Sequence, residues 1–201
     1  MSAANEKPAA EPGVKGKNTR DALIHAGIEE INAHGVADFS VRRVAEVCGV
    51  SCAAPYKHFK DKREFIAAIL IHVHGEWRER QKRVMEQAGD SLRKQLVDIS
   101  VEYVKFLVER PYYWSILVLR DAKFDQIYLS LRGHINGRSQ RLLARYFAET
   151  GMDKATRARK LYAVRAMILG AVVMFENGEL EYNDQALENI RYNIDREFDL
   201  P

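Results

Sequence analysis

Apolar residues recur at helical spacing through most of the chain. In NTRDALIHAGIEEINAHG, residues 18–35, Ala22, Leu23, Ala26, Ile28 and Ile31 fall near one 3.6-residue stripe, and Gly35 ends the element. Ser40 suits an N-cap for a short helix whose inner side is Val41, Val44, Ala45 and either Val47 or Cys48. After the break at Gly49, Ser51 predicts a further cap and a short helix ending near Phe59. Asp61 then opens a long amphipathic helix that runs to about Gln87. Further helices are expected over 90–109, 126–149, 153–177 and 183–198, with Pro111, Gly151 and Gly178 as punctuation. Residues 1–17 are rich in Ala, Pro, Gly and Lys without an apolar period, and are expected to be a disordered arm. The fold class expected is all-α.

Two short helices around a tight glycine turn make a helix-turn-helix. Ala45 is small enough for two helices to cross, and Gly49 can take the positive φ of the turn. The second short helix is unusual. Its stretch GVSCAAPYKHFKDK carries no Arg, Asn or Gln at its start, and Pro55 stands four residues after the expected Ser51 cap. There a proline forfeits only the first intrahelical hydrogen bond, while Ala54 before it is turned away from helical angles. A loose or tightly wound first turn is the expected result.

Gly35, Ser40-Val41-Arg42, Val44-Ala45, Gly49-Val50-Ser51, Tyr56, His58-Phe59 and Lys62 together resemble, without a gap over residues 19–65, the N-terminal domain of the TetR family of transcriptional regulators. Members of that family usually have Leu or Ile where Pro55 stands. The resemblance implies a helix-turn-helix DNA-binding domain over 18–64, a linking helix over 61–87 and a larger helical regulatory and dimerisation domain over 65–201. It also implies a ligand-responsive regulator, most often a repressor, that binds a palindromic operator as a homodimer and is released by a small effector. Candidate DNA contacts are Arg42, Arg43, Ser51, Cys52, Ala53, Ala54, Tyr56, Lys57, His58 and Lys62. Tyr56, Lys57, His58 and Lys62 offer hydrogen bonds or charge to phosphates, and Lys57 also suits guanine O6 and N7. Cys52, Ala53 and Ala54 suit thymine methyls or close approach, which leaves specificity to methyl contacts and DNA shape. Lys7, Lys15, Lys17 and Arg20 are candidates to reach a minor groove from the arm.

Charge supports a polyanion near one end. Net charge is only +3, but residues 40–63 hold six basic side chains against two acidic, whereas 175–201 hold eight acidic against two basic. Cys48 and Cys52 are too few and too close to staple a secreted fold, and the first 18 residues show no apolar signal core, so a cytoplasmic protein is expected. The longest apolar run, around 166–175, falls short of the roughly 20 residues of a membrane span.

Beyond residue 87 the family likeness is one of layout. Trp77, Tyr103, Phe106, Trp114, Phe124, Tyr128 and Met167 are candidates to line a pocket for an apolar or aromatic effector, with Arg132 and His134 as polar handles. Ile168, Val172, Phe175, Leu187, Ile190 and Ile194, on two amphipathic helices, are candidates for an isologous dimer interface.

Other chemistries fit less well. GVSCA lacks the second glycine of a nucleophile elbow, and neither a phosphate-cradling glycine loop nor H-E-x-x-H occurs, so no enzyme, cofactor or metal is expected. His72 and His74, two apart on a helix, point in different directions. A thiol switch at Cys52 is the remaining alternative.

Overall fold

The computed structural model of the chain describes residues 17–111 and 125–199, and side chains over 19–111 and 137–199. The described residues form seven α-helices and one short 3-10 segment: α1 Lys17–His34, α2 Val41–Val47, the 3-10 segment Pro55–Lys57, α3 Lys62–Ala88, α4 Leu92–Val108, α5 Asp125–Thr150, α6 Lys154–Glu176 and α7 Asp184–Asp199. The all-α expectation holds, and the longer helices end within a residue or two of where their punctuation predicts. Residues 1–16 of the expected arm lie outside the described residues, and Arg20 is part of α1.

Contacts divide the chain into two units that meet within α3, between Ile69 and Leu70. The first unit is built on α1, α2 and the start of α3. Leu23, Ile24, Ile28 and Ile31 of α1 bury with Phe39, Val41, Val44, Ala45, Phe59, Phe65, Ile66 and Ile69. Ile24 therefore belongs to the stripe, whereas Ala22 is exposed. Phe59 stacks on Phe65 at 4.1 Å between centroids, and Phe39 meets Phe65 edge-on at 5.4 Å. Gly27 permits the approach of α1 to α3, because a Cβ there would lie 2.6 Å from Ile69 Cδ1. Val47 is 77% exposed and Cys48 half-buried, its Sγ donating to the Ala22 carbonyl at 3.6 Å, so Cys48 rather than Val47 completes the inner side of α2.

In the second unit α4 packs against α5, α6 and α7, and α6 against α7. Capping fixes where the helices begin. Ser91 Oγ accepts from the Lys94 amide at 3.3 Å, and Asp153 Oδ1 from the amides of Ala155 and Thr156 at 2.8 and 3.1 Å. The end of α7 is tied down from neighbouring helices: Lys160 Nζ donates to the Glu197 carbonyl at 2.6 Å and Tyr146 Oη to the Phe198 carbonyl at 2.7 Å. A cation and a hydroxyl thus satisfy carbonyls that a helix C-terminus leaves without intrahelical partners. Arg93 grips Asp195 with two parallel bonds of 2.8 and 2.9 Å and reaches Asp199 at 2.5 Å, while Arg191 pairs with Asp98. These pairs fasten α7 to α4.

Candidate nucleic-acid interface and ligand cavity

Ser40 caps α2 as expected, its Oγ accepting from the Arg43 amide at 3.3 Å. Gly49 turns the chain with φ +65°. The expected cap at Ser51 is not made. No α-helix follows it, and Ala54, without a side-chain cap, precedes the 3-10 segment Pro55–Lys57. The cause is Pro55, which has no amide hydrogen to give the Ser51 carbonyl. The Ala54 amide takes that carbonyl instead at 2.9 Å, the Lys57 amide bonds Ala54 at 3.1 Å and the His58 amide bonds Pro55 at 3.0 Å, each three residues apart. Only the Phe59 amide regains helical spacing, reaching the Pro55 carbonyl at 2.9 Å. Pro55 is buried, so the segment is held against the core rather than projecting from it. Asp61 does cap α3: its Oδ1 accepts from the Glu64 amide at 2.8 Å, and Glu64 Oε2 accepts from the Lys60 amide at 2.8 Å.

The candidate DNA contacts separate into two groups. Ser51, Cys52, Ala53, Tyr56 and Lys57 are exposed along one short run, with Ala54 and His58 half-buried beside them. Arg42 is 78% exposed and pairs with Glu46 along its own helix. Arg43 is committed within the fold. Its guanidinium donates to Glu30 Oε1, from Nε at 2.8 Å, and to the Asp38 carbonyl at 2.6 Å, and Glu30 Oε1 also accepts the Ser40 amide at 3.0 Å. Burial would raise the Glu30 carboxyl, but the bonds from Arg43 and Ser40 outweigh it and hold the group below its ordinary range. Lys62 is likewise engaged, with Nζ 3.5 Å from the Ala37 carbonyl and above the Phe39 ring. Burial pushes the Cys48 thiol up, which makes it a poor nucleophile.

A cavity of about 260 Å³ opens in the second unit, lined by Trp77, Leu96, Ile99, Ser100, Tyr103, Ser139, Gln140, Leu143, Leu161, Val164, Arg165, Ile168 and Phe198. Of the expected pocket residues, Trp77 and Tyr103 line it, their rings 4.8 Å apart. Phe106 is fully buried behind Trp77 at 5.3 Å, and Met167 is half-buried on α6; neither lines the cavity. Trp114 and Phe124 lie outside the described residues, as do the side chains of Tyr128, Arg132 and His134. Arg165 and the α4 residues Leu96 and Ile99 were not foreseen, although Arg165 interrupts the otherwise apolar LYAVRAMILG, a signal open to sequence reading.

Four of the six expected interface residues are buried within their own chain. Ile168, Val172, Leu187 and Ile194 are 8, 0, 8 and 0% exposed and belong to the core of their own subunit, Ile168 to the cavity wall. Phe175 meets Tyr182 edge-on and Ile190 is half-buried. The apolar stripe left open on α6 lies further round, at Tyr162, Ala166, Leu169 and Val173, with Tyr162 77% exposed. His72 faces Glu76 at 3.6 Å while His74 is buried, so the pair diverges. Among the described residues no helix is long and apolar enough to cross a membrane, and no three His, Cys, Asp or Glu side chains gather as metal ligands.

Residues 23–69 match the family of bacterial regulatory proteins, tetR family. The HTH-type transcriptional regulator TtgW of Pseudomonas putida is 36% identical over 62 residues, 31% of this chain and 46% of that one, so the likeness spans about half of that relative. The nucleoid occlusion factor SlmA of Aliivibrio fischeri is 24% identical over 156 residues, 77% of each chain. The crystal structure of the transcriptional regulator FadR from Bacillus subtilis in complex with stearoyl-CoA shares the fold, with a TM-score of 0.65, 15% identity and coverage of 87% of this chain and 98% of that one.

Proposed function

We propose that this chain, which belongs to the TetR family of bacterial regulatory proteins, is a cytoplasmic repressor that binds a palindromic operator as a homodimer and releases it on taking up a small apolar or aromatic effector. The observation that carries the reading is the short exposed run of Ser51, Cys52, Ala53, Tyr56 and Lys57, held against a helix-turn-helix core. Small side chains let that run approach base edges, Tyr56 and Lys57 supply phosphate and guanine contacts, and Arg42 stands free enough of the core to add charge. The domain assignment follows: DNA binding over 18–64, regulation and dimerisation over 65–201.

The apolar cavity supports an effector role for the second unit, as does the stearoyl-CoA held by a regulator of the same fold, FadR of Bacillus subtilis. Helix α3 runs without a break from one unit into the other, a physical connection between the two. An effector changes DNA affinity only through a difference in its affinity for the two states of the protein, so operator and effector must weaken each other by the same factor.

Selection of sites from random duplexes, followed by effector titration with and without the selected site, tests the reading. A two-fold-symmetric site, steep loss of affinity with salt and reciprocal weakening are expected. Enrichment of no symmetric site would remove the repressor reading.

A further inference from the structure

We propose that the effector is an amphipathic monoanion, an apolar chain or ring ending in a carboxylate or similar acid, whose charged end is held by Arg165 and the Tyr103 hydroxyl. This rests on the reading of the cavity as the effector site and narrows the class of ligand it takes.

The charge balance of the walls points this way. Among the described lining residues Arg165 is the one charged side chain, the others being apolar or neutral. Several other arginines of the same unit are matched. Arg80 pairs with Glu102 and Glu109, Arg93 with Asp195 and Asp199, Arg110 with Glu76 and Arg191 with Asp98. No ion pair of Arg165 occurs among the described residues, although it stands on the cavity wall one helical turn from Leu161 and three residues from Ile168, both also lining residues. A guanidinium in such a place offers a planar fork of donors suited to a carboxylate.

Tyr103 supplies the second donor. It lines the same cavity as Arg165, and burial pushes its hydroxyl up to about 12, so it stays protonated at neutral pH. The apolar lining, with Trp77, Leu96, Ile99, Val164, Ile168 and Phe198, takes the apolar body. Arg165 also borders a shallow groove on the outer face of α6 with Ala158, Leu161, Tyr162, Ala166 and Leu169, so it stands at the rim of the cavity.

Calorimetric titration of the full-length protein with straight-chain carboxylates from hexanoate to dodecanoate, each against the alcohol of the same chain length, tests the assignment. The best carboxylate should bind at least about tenfold more tightly than its alcohol, as a charge-assisted pair does over a neutral one. Arg165→Gln should bring the two within about twofold, while Arg165→Lys should keep a preference for the acid. Ile168→Trp, which fills the cavity, should abolish binding of both. Equal affinity of acid and alcohol in the native protein, or a preference that survives in Arg165→Gln, would overturn the anionic-head assignment and leave the effector cavity standing. Binding by neither series, or binding unchanged in Ile168→Trp, would remove the cavity reading and this inference with it.

Discussion

Pro55 follows Ser51 at the spacing of an α-helical hydrogen bond, and that bond is not made: the Ser51 carbonyl accepts from the Ala54 amide at 2.9 Å. The segment is thereby wound as successive three-residue turns ending in Pro55–Lys57. Pro55→Leu returns the missing donor and keeps an apolar group at a buried position. It should lengthen the segment into an α-helix and turn Cys52, Ala53 and Lys57 to new bearings. Selected operator sequences should therefore differ between the native protein and the variant. The same consensus, bound with the same affinity, would show that the winding has no part in recognition.

Arg43 and Lys57 should behave differently although both are basic and both lie in the helix-turn-helix. Arg43 is bonded to Glu30, whose carboxylate is 8% exposed, so Arg43→Ala strips a partner from a buried charge and should lower the melting temperature. Lys57 is exposed and should leave stability unchanged when replaced by Ala. Its loss should instead reduce the slope of log affinity against log salt by about 0.9 if it neutralises one phosphate, and alter sequence preference if it reads guanine. Paired thermal melts and salt titrations of the two variants check this. A drop in DNA affinity without loss of stability for Arg43→Ala would return that residue to the DNA surface.

Asp98 makes stability depend on acid. Burial would raise its carboxyl, but the hydrogen bonds from Lys94 and Arg191 outweigh burial and leave it below the ordinary value. A carboxyl lowered in the folded state contributes stability above its unfolded pKa, and that contribution is lost as pH falls through the folded one. The loss should fall below about pH 4. Denaturant unfolding from pH 7 down to pH 3 should show a shallower acid loss for Asp98→Asn than for the native chain, the two converging at the acid end. Parallel curves would mean that the Asp98 pairs contribute nothing across that range.

The core and the open face of the second unit separate stability from association. Ile194, fully buried, should cost about 2–5 kcal/mol when cut to Ala, with little direct effect on subunit affinity. Val173, 39% exposed beside Leu169, should tolerate Glu as a monomer and lose the dimer if the open stripe of α6 is the contact. Light scattering and thermal melts on both variants read the two effects. A dimer that survives Val173→Glu would move the interface off this stripe.

The sequence by itself determined the all-helical class, the ends of most helices and the motif over residues 19–65, because each depends on neighbours only a few positions away. Ser40, Asp61 and Asp153 cap by side chains that reach amides two or three residues on, and Gly49 turns the chain by its own φ. The tightly wound first turn at Pro55 was legible for the same reason, but Ala54 keeps helical angles (φ −62°, ψ −42°) against expectation, and neither the loss of the whole short helix nor that of the Ser51 cap was foreseen.

Tertiary structure alone decided which way each stripe faces and what each charge answers. Ile168, Val172, Leu187 and Ile194 carry the periodicity of a surface stripe, yet they face their own chain. That periodicity records an apolar side without naming what covers it, and α4 packs against both helices that bear them. Arg42 and Arg43 are adjacent and chemically identical, but Glu30, 13 residues before Arg43, occupies only the second. Arg165 and Tyr103 come to one cavity from helices 62 residues apart in number, a proximity produced by the packing of α4 on α6 and by nothing within either segment.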